Sequence, residues 1–234
     1  MDYFKNRRDY ELNYIAHKEK IYKLYVKKYK KDLGSFVKKI ERGSILEIWF
    51  WDGKFANFCN KLHNLSYIWI DVDDFFAGDL RKHYPYYKFL KSWISEFADS
   101  HKNEFDVVFV SHVFEHLDDN ERIDCINWIY WILKKWGYWI NYMPNADSDL
   151  MLWYWRWGDI THYTIYNSLS FSQLLRKYSK FTSIEHSNTY VWYQLFFFRW
   201  IHKIFLWCTK VYYLWMWVRY PEIYTWELLS FIKK

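Results

Sequence analysis

Between residues 43 and 142 the apolar positions come in short, nearly unbroken bursts, and the stretches between them carry apolar residues at helical spacing. The bursts at 45–48, 67–70, 87–90, 105–110 and 138–142 predict strands. Their continuous rather than alternating apolarity is the pattern of parallel strands covered on both faces. Residues 52–62 place Phe55, Phe58, Cys59 and Leu62 on one helical face, and further helices are expected over 73–82 and 120–134. Ahead of these, Ile15, Ile21, Leu24, Tyr25, Phe36, Val37 and Ile40 recur among many charges over 9–41, which predicts one or two amphipathic helices ended by Gly43-Ser44. Residues 227–233 read as a last strand. Strands alternating with helices of this length imply a parallel sheet with right-handed crossovers, and ligands then bind at the carboxyl ends of the strands.

Composition adds little to the fold but bounds the setting. Apolar residues make up 52% of the 234, which is ample for a core, and the net charge of +6 is mild. Its Lys and Arg crowd the first 42 residues, as in Arg7-Arg8, Lys27-Lys28, Lys30-Lys31 and Lys38-Lys39, and read as a solvated helix face in preference to a site for anionic lipid or phosphate; no nucleic-acid partner is expected. Cys59, Cys125 and Cys208 have neither metal nor disulfide spacing, so a reducing cytoplasm is expected. The opening Met-Asp-Tyr-Phe-Lys-Asn-Arg-Arg lacks the apolar core expected of a signal peptide, and no uncharged apolar run reaches the ~18 residues of a membrane span.

The stretch from Ile45 to Gly53 changes the picture most. It reads as a strand that closes in an acid, Glu47, and opens into a nucleotide-binding turn. Such a turn uses glycine because the backbone must bend sharply and let the ligand approach, yet Trp49 and Trp51 stand there. The whole chain has 17 Trp and 6 Gly, where average usage of about 7% would give roughly 16 Gly. The exchange looks systematic. A UGA codon written as tryptophan but read by the cell as glycine accounts for it; decay of the binding loop in an aromatic-rich protein is the alternative, and the codons at 49, 51, 69 and 136 separate the two.

Further features follow in order. Asp71 closes the second strand. The fourth runs through Phe105-Asp106-Val107-Val108 into Ser111-His112-Val113-Phe114-Glu115-His116-Leu117. Then come Leu133-Lys134-Lys135-Trp136-Gly137-Tyr138 and Pro144-Asn145. Together they resemble the class I S-adenosylmethionine-dependent methyltransferases over about residues 43–187, in a bacterial type-11, type-12 or type-23-like form. The resemblance implies an α/β, Rossmann-like fold with a mostly parallel seven-stranded sheet whose last strand is antiparallel. It places the core at 43–187, between a helical lead at 1–42 and an aromatic, basic extension at 188–234. It implies S-adenosylmethionine as cofactor. Asp71 would accept the ribose hydroxyls, and Glu47 would order the turn and the methionine amino group. Gly53, Ser111 and His112 would line the methionine arm. Trp49 and Trp51 stand at the first two glycines of the family's first motif, Trp69 where glycine is common, and Trp136 at the first glycine of a later motif. The family often offers an acid to adenine after strand three; here Trp93 and Ile94 stand instead.

For the acceptor, the chemistry needs alignment and, for a hydroxyl, proton removal. His116 and His162 are the candidate bases, with Asp159 to orient His162. The segment 158–164, followed by Ser168 to Arg176, resembles methyltransferases associated with surface-glycan and envelope biosynthesis, so oxygen methylation of a glycan, lipid-linked sugar or small metabolite is expected. His112-x-x-Glu115-His116 also fits a zinc-hydrolase pattern, but no third ligand is identifiable and no metal is expected. Residues 191–218 combine a basic stripe (Arg199, His202, Lys203, Lys210) with a broad aromatic face, the composition of a helix lying on a membrane surface. This would make the protein cytoplasmic and peripheral to the inner face. If Trp49 and Trp51 are genuine, the alternative is an inactive interaction or membrane-surface module.

Overall fold

The five apolar bursts and the last strand all enter one sheet. The structure is a computed structural model describing residues 18–36, 43–49, 53–62, 65–73, 77–148, 161–190, 204, 207, 208, 210, 211, 225 and 227–234. Its elements are α1 (Lys18–Leu33), β1 (Ser44–Ile48), α2 (Lys54–Cys59), β2 (Ser66–Asp71), α3 (Ala77–His83), β3 (Lys88–Lys91), α4 (Ile94–Ser100), β4 (Phe105–Ser111), α5 (Asp119–Ile132), β5 (Leu133–Pro144), α6 (Ser168–Tyr178), β6 (Ser183–Asn188) and β7 (Glu227–Lys233). Short 3-10 turns lie at Gly34–Phe36 and Phe114–His116. The seven strands are ordered β3-β2-β1-β4-β5-β7-β6. β1 pairs in parallel with both β2 and β4, while β7 runs antiparallel to its neighbours β5 and β6.

The apolar bursts are explained by cover on both faces. On one, Leu46, Ile48, Val108, Val110 and Trp139 pack with Phe97, Ile126, Ile129, Phe171 and Leu175 from α4, α5 and α6. On the other, Ile45, Trp69, Phe109 and Tyr142 pack with Tyr29 and Leu33 of α1, Phe55 and Phe58 of α2, and Leu80 of α3. The Phe55 and Phe109 rings stack 3.6 Å apart. Large aromatics of this kind dominate core energetics through the area they bury.

Several expected bounds shift for local reasons. The helix expected from residue 73 is described over Ala77–His83, and ahead of it Asp71 Oδ1 accepts the Asp73 N–H at 3.0 Å. Asp118 caps α5 in a reciprocal capping box with Glu121, and the helix yields to β5 at Leu133. β6 has a polar sequence, Ser-Ile-Glu-His-Ser-Asn, with only intermediate burial, so periodicity did not mark it. The reading of the Lys27-Lys28 run as a solvated face is corrected at Lys28, which is 3% exposed. Its ammonium turns inward because Asp32 and Glu227 both lie 2.7 Å from it.

Candidate functional site

The carboxyl ends of β1, β2 and β4 gather most of the expected binding residues. Glu47 is buried in β1 and accepts the Tyr67 hydroxyl. Burial pushes the Tyr67 phenol and the Cys59 thiol up, and the Glu47 charge adds to both shifts. Asp71 is buried at the end of β2, its carboxylate holding the Asp73 N–H. Gly53 precedes α2 at φ 75, so the backbone favours glycine, and a Cβ there would also have to displace the Leu80 side chain, whose Cδ2 lies 2.6 Å away. Trp93 is exposed and Ile94 buried at the start of α4, while Ser111 ends β4. Trp51 and Asp159 lie outside the described residues.

The tryptophans differ in what the backbone asks of them. Trp49 has φ 51 and Trp136 φ 72, a left-handed region that costs a side chain about 1–2 kcal/mol and glycine nothing. Trp49 donates its backbone N–H to Ile70 O at 2.9 Å, and its indole meets that of Trp93 edge-on at 6.3 Å. Its Nε1 is buried with no hydrogen-bond partner among the described residues. The two indoles thus meet just beyond the ends of β1 and β3, with Trp49 also packed against the core on the α4–α6 face. Trp136 turns the chain out where β4 advances from Phe105 to Val107 while β5 advances from Leu133 to Tyr138. Trp69 is different: it is an extended residue of β2, fully buried and edge-on to Phe89 at 4.6 Å.

Behind the strand ends runs a line of charges that the sequence did not reveal. His112, itself at φ 54, donates its backbone N–H to Tyr142 O at 2.9 Å. Its Nε2 lies 3.0 Å from Glu227 and its Nδ1 3.2 Å from Glu115. Glu227 continues to Lys28, and Lys28 to Asp32, which also accepts the Tyr142 hydroxyl at 3.2 Å. Burial opposes the charge on His112, but bonds to Glu115 and Glu227 push its pKa up to about 9. Burial likewise opposes ionisation of Glu227, yet Lys28 and His112 hold it well below the usual carboxylate range. Only the fold joins Lys28, His112 and Glu227.

The acceptor side is built on the turn after β4. Tyr163 donates its N–H to Glu115 O at 2.8 Å, which lays the segment carrying Thr161 and His162 against the Phe114–His116 turn. His116 and His162 meet with ring centroids 4.6 Å apart, and His116 Nδ1 lies 2.8 Å from Thr161 Oγ1. The zinc-hydrolase pattern is corrected here. It needs His112 and His116 on one face of a helix, but the chain forms only a 3-10 turn after a left-handed His112, whose ring points to Glu227. Glu115, His116 and His162 come together instead, one potential ligand atom from each within 4.8 Å of the others.

No protein-family model and no curated protein sequence matches the chain. Solved structures do. A SAM-dependent methyltransferase from Archaeoglobus fulgidus superposes with TM-score 0.66 at 15% identity, over 91% of this chain and 94% of that one. A possible histamine N-methyltransferase from Thermotoga maritima gives 0.61 at 17% identity, over 97% and 95%. The N-methyltransferase NodS of Bradyrhizobium japonicum, in complex with S-adenosylhomocysteine, gives 0.54 at 15% identity, over 90% and 85%. The seven-stranded sheet of this chain, with its antiparallel last strand, is therefore the Rossmann-like fold shared by SAM-dependent methyltransferases.

Proposed function

We propose that the protein is a methyltransferase that takes its methyl group from S-adenosylmethionine and delivers it to an oxygen of a glycan, lipid-linked sugar or small metabolite. The observation that carries this reading is the placement of Asp71, Gly53 and Ser111 at the carboxyl ends of adjacent strands, with His116 and His162 paired beside them. Ligands of open α/β sheets bind there. Asp71 and Gly53 suit a ribose-bearing cofactor: one supplies a buried acid at a strand end, the other a close backbone approach. The indole of Trp49 does not suit it, because a large side chain stands directly after β1, against Trp93, where a close backbone approach is needed. With glycine at 49 the left-handed backbone is kept without strain and the indole's volume is removed.

The cofactor, when bound, supplies a methyl group already activated on sulfur. What remains for the chain is to align the acceptor and remove its proton. In the absence of a bound metal ion, His116 and His162 are our candidate bases for proton removal, with Thr161 in contact with the His116 ring. A membrane-linked acceptor fits the exposed helical residues Ile204, Trp207 and Val211, and peripheral contact at the inner membrane face belongs to the same proposal. No helix among the described residues is long and apolar enough to cross a membrane.

A second reading, an inactive interaction module, is favoured by the same Trp49–Trp93 contact if the cell makes tryptophan at 49. Titration of S-adenosylmethionine into the chain as written and into a W49G/W51G version, with folding of both checked by circular dichroism, decides between the two. Binding by the glycine version is expected. Binding by neither folded protein would sink the cofactor assignment.

A further inference from the structure

We infer that Glu115, His116 and His162 form a binding site for a divalent first-row metal ion, with an open position toward the acceptor. The donor set is two imidazoles and one carboxylate, which with vacant positions is a metal-binding and substrate-accepting arrangement. The three come from two places in the chain, the turn after β4 and the segment after β5, and the Tyr163 N–H to Glu115 O bond holds those places together.

Three observations point to an ion rather than to a chance meeting of polar groups. Glu115 is 1% exposed, and its Oε2 has no hydrogen-bond partner among the described residues. A buried carboxylate oxygen is costly unless a hydrogen bond or a cation meets it. One potential ligand atom from each residue already lies within 4.8 Å of the others, so small side-chain rotations bring all three onto one ion. The surroundings also have the build of a ligand's support. Thr161 engages His116 Nδ1 and His112 engages Glu115 Oε1, so outer bonds already orient two of the three side chains. Metal ligands are characteristically oriented by such outer bonds.

The inference rests on the methyltransferase reading for its purpose. An acceptor hydroxyl at the open position would lose its proton to solvent more readily, since a bound cation lowers the pKa of a coordinated oxygen. In this role the two imidazoles are ligands rather than the base.

Tag-free full-length protein, stripped with a chelator, is titrated separately with Zn²⁺, Mn²⁺ and Co²⁺ by calorimetry, with the visible spectrum of the Co²⁺ form recorded. One ion per chain is expected, with imidazole-dependent Co²⁺ bands. E115Q and H162Q should weaken binding at least tenfold, T161V should weaken it less, and H83Q, on an exposed helix end, should bind as wild type. Thermal unfolding of each variant confirms that it folds. Absence of binding at millimolar ion, or equal binding by the folded E115Q and H162Q variants, overturns the inference. S-adenosylhomocysteine binding is measured on the same W49G/W51G protein with and without ion. Cofactor binding without metal binding overturns this inference alone. Metal binding without cofactor binding supports the ion site and overturns the methyltransferase reading.

Discussion

At the scale of single residues, Trp49 and Trp136 carry most of the interest. Both stand at positions where the sequence pattern called for glycine, and both take the left-handed backbone that glycine favours. Trp136 is 59% exposed, its indole touched mainly by the Lys135 and Lys233 ammonium groups. Its replacement by glycine removes ~1–3 kcal/mol of strain against a loss of ~0.4–1 kcal/mol through the more flexible unfolded chain. W136G should therefore be more stable by about 1 kcal/mol, seen as a higher urea midpoint with unchanged slope. W69G should move the opposite way by about 3–5 kcal/mol, since it empties a core site with no backbone to relieve. Equal shifts of one sign in the two variants would contradict this account. The sequence marked all four tryptophans alike; only the dihedral angles distinguish those that strain the chain from one that packs.

At the scale of elements, α1 and β7 decide more than their sequences suggested. Lys28 sits in a helix rich in lysine, and nothing in that spacing separates it from its exposed neighbour Lys27. Its burial follows from α1 lying over the sheet, where Glu227 of β7 and Asp32 meet its charge; burial opposes that charge, and the two carboxylates overcome the opposition and raise its pKa. K28M leaves Asp32 buried without its cation and Glu227 with His112 alone, and it should cost about 3–5 kcal/mol, measured by chemical denaturation. A smaller effect ties β1 to β4 and β5. Asp106 Oδ2 accepts from Ser44 N and Oγ and from Lys134 Nζ at 2.8–2.9 Å. Partial burial opposes its charge, but these bonds prevail and hold its pKa below the usual value. The resulting stability is present above the unfolded pKa near 4 and is lost as pH falls through the lower folded value. D106N should flatten the acid limb of a stability-against-pH curve below about pH 4 and leave the neutral region's slope unchanged.

At the scale of the whole molecule, the sheet order places the turn after β1, the end of β2 and the turn after β4 on one rim. The C-terminal segment adds the exposed Ile204, Trp207 and Val211 to the surface. If this surface meets anionic lipid, the protein should cosediment with vesicles containing phosphatidylglycerol, and 0.5 M salt should release much of it by screening Lys210 and the basic residues read from the sequence at 199–203, which lie outside the described residues. Equal recovery with neutral vesicles, or none with either, would count against membrane contact.

The sequence by itself determined the layering. Strands buried on both faces must be continuously apolar, and that demand is local enough to read in β1, β2, β4 and β5. It also placed the last strand, and it put Glu47 in β1, Asp71 at the end of β2 and Gly53 in the turn before α2, because a strand end followed by a sharp turn has its own residue requirements. It could not show β6, whose polar residues lack periodicity, nor the burial of Lys28. It could not show that Glu115 rather than His112 joins His116 and His162. Those depend on segments far apart in the chain meeting at one point, and pairing energies of that kind leave no spacing to read. Tertiary structure alone decided them, because a buried charge settles wherever the packed fold brings its counter-charge.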